Sequence, residues 1–434
     1  MRDIKMNDDF KDTEIGKIPK EWEIKKLGDC LCVLRNGLTN KQNKQMLGLP
    51  ITRIETISTG KINSIKVGFV EGLSEEEINK YKLIKGDILF SNINSEPYLG
   101  NSAIYTGEPK ILLHGMNLLL FRTNKNVFYL FLYYLLNFYR EKKIFIAISS
   151  RAVNQASINQ GKIKNLIIPL PPLEEQKRIA YVLSKIQNAI DIQDRLIKLL
   201  QELKKSMMHK LFTEGIGHTE FKNTEIGRIP KEWEIKKIQQ LFKIQHGISI
   251  TPNRRKLTPN YPMLRTINVE WGKILLDKID YAFFSPKEIE LLNLQYGDLL
   301  LCEGGDIGRT AMWKDELKVV GYQNHLHRLR KLNNNISPLF YMYWIQYSIL
   351  YAHLYINEGN TTTIPNLSKA RIMNFEVVYP DIKEQERIAY ILSTIEDKIF
   401  IETKRKESFE KLFKTMLNKL MSGQIRTKNI EVVQ

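Results

Sequence analysis

The chain repeats itself, and the length of the repeat limits what it can fold into. Residues 13–26 read TEIGKIPKEWEIKK and residues 224–237 read TEIGRIPKEWEIKK, thirteen of fourteen positions identical at an offset of 211. EQKRIAYVLSKI at 175–186 returns as EQERIAYILSTI at 384–395, nine of twelve identical at an offset of 209. Between these anchors Gly60-Lys61-Ile62 pairs with Gly272-Lys273-Ile274, and Gly86-Asp87-Ile88-Leu89 with Gly297-Asp298-Leu299-Leu300. Two copies of a unit of about 210 residues therefore fill the 434-residue chain. So long a period means duplicated domains, not a solenoid.

Each copy has two parts. The first, roughly 20–168 and 232–379, consists of short apolar runs broken by Gly, Pro and Asn, a strand-rich pattern with a few helices. One helix is well signalled. Ser74 with Glu77, and Ser285 with Glu288 and Pro286 between, have the spacing of a capping box, the second with Pro at the first helical position. Each of these helices leads to a Gly-Asp turn and then a strand, ILFS or LLLC.

The second part is a long helix, Glu174–Phe212 and Lys383–Met421, with no Pro or Gly inside and proline just before it. Apolar residues recur in a 4/3 rhythm: Ile179, Leu183, Ile186, Ile190, Ile197 and Leu200 in the first, Ile388, Leu392, Ile395, Ile399, Phe409 and Phe413 in the second. That period is a coiled-coil seam. About 39 residues at ~1.5 Å each is about 58 Å, more than one domain needs, so the two helices are expected to pair with each other. An antiparallel pair puts the two mixed parts at opposite ends. Gln193 and Glu402 hold equivalent polar places in the seam, and Lys204 and Lys406 interrupt it elsewhere.

Composition adds the partner class. Lys and Arg exceed Asp and Glu by 65 to 48, a net +17. The two long helices carry only +3 and +2, leaving +12 on the mixed parts and linkers. Basic globular parts point to a polyanion, nucleic acid before lipid. Lys41, Lys44 and Arg53 cluster in one copy, and Arg254, Arg255 and Lys256 in the aligned region of the other. Three cysteines do not make a disulfide scaffold and fit a reducing compartment. The start, MRDIKMNDDFKD, has no signal-like apolar core, and no run is long and uninterrupted enough for a bilayer, so a cytoplasmic chain without membrane insertion is expected.

With these residues in view the chain resembles the specificity subunit of type I restriction–modification systems. The likeness spans nearly the whole length. Its carriers are IPKEWEIKKLGD and its repeat, NQASINQGKIKNLIIPLPPLEEQKRIA, and TIPNLSKARIMNFEVVYPDIKEQERIA, the same succession twice. The resemblance implies an α+β fold: two repeated mixed α/β target recognition domains separated by a long antiparallel two-helix coiled coil. The expected parts are an N-terminal segment with recognition domain 1 (1–172), spacer helix 1 (173–212), a linker (213–231), recognition domain 2 (232–380), spacer helix 2 (381–422) and a C-terminal tail (423–434). Each domain would read one half of a bipartite, asymmetric sequence in double-stranded DNA. The implied partners are two methyltransferase (M) subunits and two motor-nuclease (R) subunits. S-adenosylmethionine, ATP and Mg²⁺ would act on those partners, with no cofactor in this chain.

The residues themselves fit a non-catalytic subunit. There is no Asn-Pro-Pro-aromatic tetrad to position a flipped adenine and no GxxxxGK[ST] loop; Gly304–Thr310 lacks the lysine and reads as a turn. Asp381, Glu384 and Glu386 hint at a nuclease set, but the first copy has no Asp there, and acids at a helix start favour its dipole. No metal site is expected. Cys30 and Cys32 lack a second pair. Cys302 with His325 and His327 is the other candidate set, but Phe90, Met116 and Leu118 lie near those places in the first copy. Two other classes remain open: a coiled-coil scaffold with incidental charge, and an enzyme, such as a nuclease, with its own site.

Base readers should sit where the copies diverge within a shared frame. Three such places are Thr39–Gln45 against Thr251–Lys256, Asn92–Asn101 against Glu303–Arg309, and Ser149–Gln155 against Asn357–Ile364. The candidates for DNA contact are Lys41, Lys44, Arg53, Asn92, Asn94, Arg151 and Asn154 in the first domain. In the second they are Arg254, Arg255, Lys256, Arg265, Glu303, Arg309 and Asn360. Arg suits guanine, Asn suits adenine, and Lys suits phosphate. Trp22 and Trp233, in the unchanging frame, are expected to anchor each domain's root.

Overall fold

The computed structural model describes residues 9–43, 45–152, 155–304, 307–354, 367–428 and 430. Lys44, Asn154 and Asn360 lie outside them, as does the whole of the stretch 357–364. The chain divides into two compact units not at the ends of its long helices but within them. One unit takes Met1–Gln193 and Arg405–Gln434, the other Asp194–Lys404.

The long helices run Leu173–Thr213 and Ile382–Met421, 41 and 40 residues. In the first unit Ile179 and Leu183, near the start of the first helix, share a core with Leu417, Leu420 and Met421 at the end of the second. In the other unit Met208, Leu211 and Phe212 share a core with Ile388 and Leu392, so end again meets start and the pairing is antiparallel. None of the twelve seam residues is exposed. Ile179, Leu183, Ile190, Ile388 and Leu392 are buried, while Ile186, Ile197, Leu200, Ile395, Ile399, Phe409 and Phe413 are half-buried. A two-helix seam covers only one side of a side chain; over Ile179, Leu183, Ile388 and Leu392 a globular core closes the other side. Lys204 stays in the seam because its ammonium donates to Glu396 at 2.7 Å and to Gln346 at 3.3 Å.

The repeat holds strand for strand. In the first unit an antiparallel four-stranded sheet runs in the order Leu31–Asn36, Leu119–Thr123, Ile88–Phe90, Ser102–Ile104. In the second it runs Phe242–His246, Leu326–Lys331, Leu299–Cys302, Thr310–Met312, again all antiparallel. The expected capping boxes close both ways: Ser74 with Glu77 starts Glu75–Tyr81, and Ser285 with Glu288 starts Pro286–Leu292. A mostly buried helix, Tyr129–Glu141 in one unit and Pro338–Leu350 in the other, packs into each core.

The Gly-Asp turns acquire a reason. Asp87, fully buried, takes a two-pronged ion pair from Arg122 at 2.7 and 2.8 Å and a bond from the Ile84 amide. Asp298 takes the same from Arg330, at 2.7 and 2.6 Å, and from the Gln295 amide. One carboxylate thereby ties the turn to the neighbouring strand in both copies, which a buried charge requires if it is not to be left unpaired.

Candidate nucleic-acid interface

What each recognition surface stands on is set at the root. Trp22, wholly buried, donates its indole N–H to Glu175 at 3.0 Å; Trp233 does the same to Glu384 at 2.9 Å. In each unit the segment that follows the other long helix completes the latch. Arg426 donates to Glu175 at 2.8 and 3.0 Å and to Glu21 at 2.6 Å, and these bonds raise its pKa. His218 sits 3.0 Å from Glu384, which also accepts the Ile216 amide. The adjacent glutamine repeats a second latch. Gln176 accepts the Phe128 amide and donates to Pro171 and Asn126; Gln385 accepts the Ser337 amide and donates to Pro380 and Asn335. So the tryptophans are root anchors, as the sequence suggested. Glu384, which read as a helix-start acid, and Glu175, which carried no reading of its own, are their partners, and the sequence signal was the doubled Glu-Gln. Asp381 caps its helix through the Lys383 and Glu384 amides.

The expected readers separate into surface groups and groups engaged within the fold. Lys41 is exposed and shares a hollow of about 270 Å³ with Arg53, Gln42 and Asn117. Arg53 lies 3.9 Å from Glu55, too loose to be held. Arg151 is exposed, with Glu96 at 3.0 Å. Arg255 and Lys256 are exposed at the end of a single turn, Pro252–Arg255. Arg265 pairs with Asp280 at 2.8 Å on the surface. Arg309 lines a hollow of about 430 Å³ with Thr266, Asn268 and Lys278.

Others are structural. Asn92 is buried and donates to the Ile158 carbonyl at 3.2 Å, beside the paired strands Ile93–Asn94 and Gln155–Ser157. Asn94 holds Ser91 and the Ser95 amide. Arg254, only 19% exposed, donates to the Phe283 carbonyl and to both oxygens of Glu288, the capping-box acid. Those bonds hold Glu288 at about 2, well below the usual carboxylate range. A lone Arg or Asn in a divergent loop looks the same in sequence whether it reaches out or in.

Glu303 also turns inward. Its carboxylate lies 3.7 Å from His327, whose ring stacks edge-on to His246 with centroids 4.4 Å apart. His327 is fully buried and its pKa falls to about 4, first because burial disfavours the imidazolium and next because His246 is beside it. The ion pairs Asp87–Arg122 and Asp298–Arg330 fix the register between copies, so Leu119 matches His327. Cys302, His325 and His327 then correspond to Ser91, Asn117 and Leu119, one residue on from the Phe90, Met116 and Leu118 that sequence spacing suggested. Cys302 lies in a different, apolar cluster and His325 is exposed, so neither joins His327.

Among the described residues no helix is long and apolar enough to cross a membrane. The fold is a duplicated α+β unit in which paired long helices carry divergent surfaces on a common frame. The chain belongs to the family of the type I restriction modification DNA specificity domain, which matches it twice, over residues 19–202 and 230–411. It is 41% identical over 426 residues, 97% of either chain, to a protein of Methanocaldococcus jannaschii named as the MjaX type I restriction enzyme specificity subunit. To the MjaVIII specificity subunit of that organism it is 28% identical over 442 residues, covering 98% of this chain and 97% of the relative. The solved type I restriction–modification S subunit of M. genitalium shares the fold, with a TM-score of 0.59 at 16% identity over 96% of this chain and 98% of that one.

Proposed function

We propose that this specificity subunit reads a two-part DNA sequence, one half with each recognition domain, and directs partner subunits that methylate or cut. The observation that carries the reading is the doubled family match falling on two copies whose frames agree and whose exposed loops differ. Identical frames present a surface in the same way; different side chains on that surface read different bases. The target is therefore two dissimilar halves. Lys41, Arg53 and Arg151 in one domain, and Arg255, Lys256, Arg265 and Arg309 in the other, are the groups that supply contacts. The paired helices set the unspecified gap between the halves.

The chain does no chemistry itself. Glu175 and Glu384 are engaged in the fold, and its sequence has no phosphate loop or adenine tetrad. Two methyltransferase subunits, using S-adenosylmethionine, dock on the outer faces of the long helices, where Ile192, Leu199, Leu203, Tyr390 and Phe400 are exposed apolar groups. Two motor-nuclease subunits, using ATP and Mg²⁺, join that core. The work is done in the cytoplasm, on host and invading DNA. The test is binding of the chain with its methyltransferase to its target duplex across salt. If about six phosphates are neutralised, affinity falls by about three orders of magnitude between 50 and 200 mM salt. A flat response would leave a scaffold with incidental charge.

A further inference from the structure

Three neighbouring strands of the second unit's sheet bring two imidazoles and a carboxylate to one place. His246 ends Phe242–His246 and lies directly opposite His327 of the central strand Leu326–Lys331. On the other side His327 faces Leu301, and Glu303, two residues beyond Leu301, returns to the same face of the sheet. Nitrogens of the two histidines and an oxygen of Glu303 all lie within 4.8 Å of one another, and Glu303 is 3.7 Å from His327. Around a four-coordinate zinc-class ion, with bonds of about 2.0–2.2 Å, donors sit about 3.4 Å apart, so small side-chain rotations close the set.

The second observation is what the cluster lacks. His327 is fully buried, and among the described residues neither ring nitrogen makes a hydrogen bond of normal geometry, a weaker contact with the Leu367 backbone aside. Buried imidazole nitrogens are rarely left so, because the lost hydration is not returned. Two imidazoles with one carboxylate suit zinc-class ions better than magnesium or calcium.

We propose that His246, His327 and Glu303 bind one divalent ion of the zinc class, which ties Glu303 to the end of the sheet. The site belongs to the second copy alone: the matching positions of the first copy are Asn36, Leu119 and Asn92. Glu303 is then a ligand and not a base reader. The proposal does not depend on how the chain reads DNA.

The test uses the full chain and Co²⁺ as the probe, with Zn²⁺ as competitor. About one equivalent of Co²⁺ should give the visible absorption of a low-coordinate site and be displaced by Zn²⁺. The first copy supplies a control already compatible with this fold: the triple substitution His246→Asn, Glu303→Asn, His327→Leu. It should weaken Co²⁺ binding at least a hundredfold with an unchanged circular dichroism spectrum. Should the triple variant fail to fold, His246→Asn alone, at a half-buried ring, should weaken binding at least tenfold. His325→Ala should leave binding as it was. Absence of a stoichiometric Co²⁺ band in the native chain, or a band that survives these substitutions, overturns the site.

Discussion

Asp298 and Arg330 show what a short repeated motif conceals. Gly297-Asp298 read as a turn, yet the aspartate is the buried half of an ion pair with an arginine 32 residues later. Sequence could place the turn because turn chemistry is local; it could not supply a partner on another strand. Asp298→Ala leaves Arg330 partly buried and unpaired, and should lower unfolding free energy by about 3–5 kcal/mol in a denaturant titration. Replacing both with apolar residues of similar volume should recover most of that loss, since the pair's own desolvation is removed with it. His114 offers a different residue-scale prediction. It is buried, with a ring nitrogen 3.0 Å from the Leu118 carbonyl, and burial lowers its pKa from 6.5 to about 4. Below pH 6.5 the unfolded chain takes up a proton that the folded chain refuses until about pH 4, so stability is lost as the pH falls through that window. In His114→Gln the stability–pH curve should lie flatter there, by about 3 kcal/mol at most. Curves that superimpose would show that the ring protonates freely in the fold.

Elements were more legible than residues, for physical reasons that differ from one to the next. The long helices declare themselves through a seam repeated over ten turns with no breaker, and both capping boxes are complete within four residues. The root latch is invisible because Trp22 and Glu175 are 153 positions apart. The reader loops were legible only as places: divergence marks where chemistry changes but not which way a side chain points, as Asn92 and Arg254 demonstrate. The seam itself yields a graded prediction. Leu183 is fully buried where the globular core covers it, and Leu183→Ala should cost about 2–5 kcal/mol by thermal or chemical unfolding. Ile197, half-buried on the bare stretch, should cost clearly less on the same change. Equal costs would mean that the helix pair, not the core, supplies most of the burial.

At the scale of the whole chain, duplication explains both the likeness of the units and their difference. Each compact unit borrows the start of one long helix and the end of the other, so neither recognition domain has a complete root without both helices. If the helices set the gap between half-sites, removing Ile190–Leu196 and Ile399–Arg405 keeps the seam in phase and shortens the pair by about 10 Å, about three base pairs. The methylated sequence should keep both halves and lose about that many unspecified positions; an unaltered gap would dismiss the helices as the ruler. The central claim, one reader for each half, has a more direct measurement: exchange residues 232–374 for the corresponding domain of a homologue and map methylated adenines in host DNA. The account predicts that one half of the methylated sequence changes while the other half stays. A target that changes in both halves, or in neither, would contradict it.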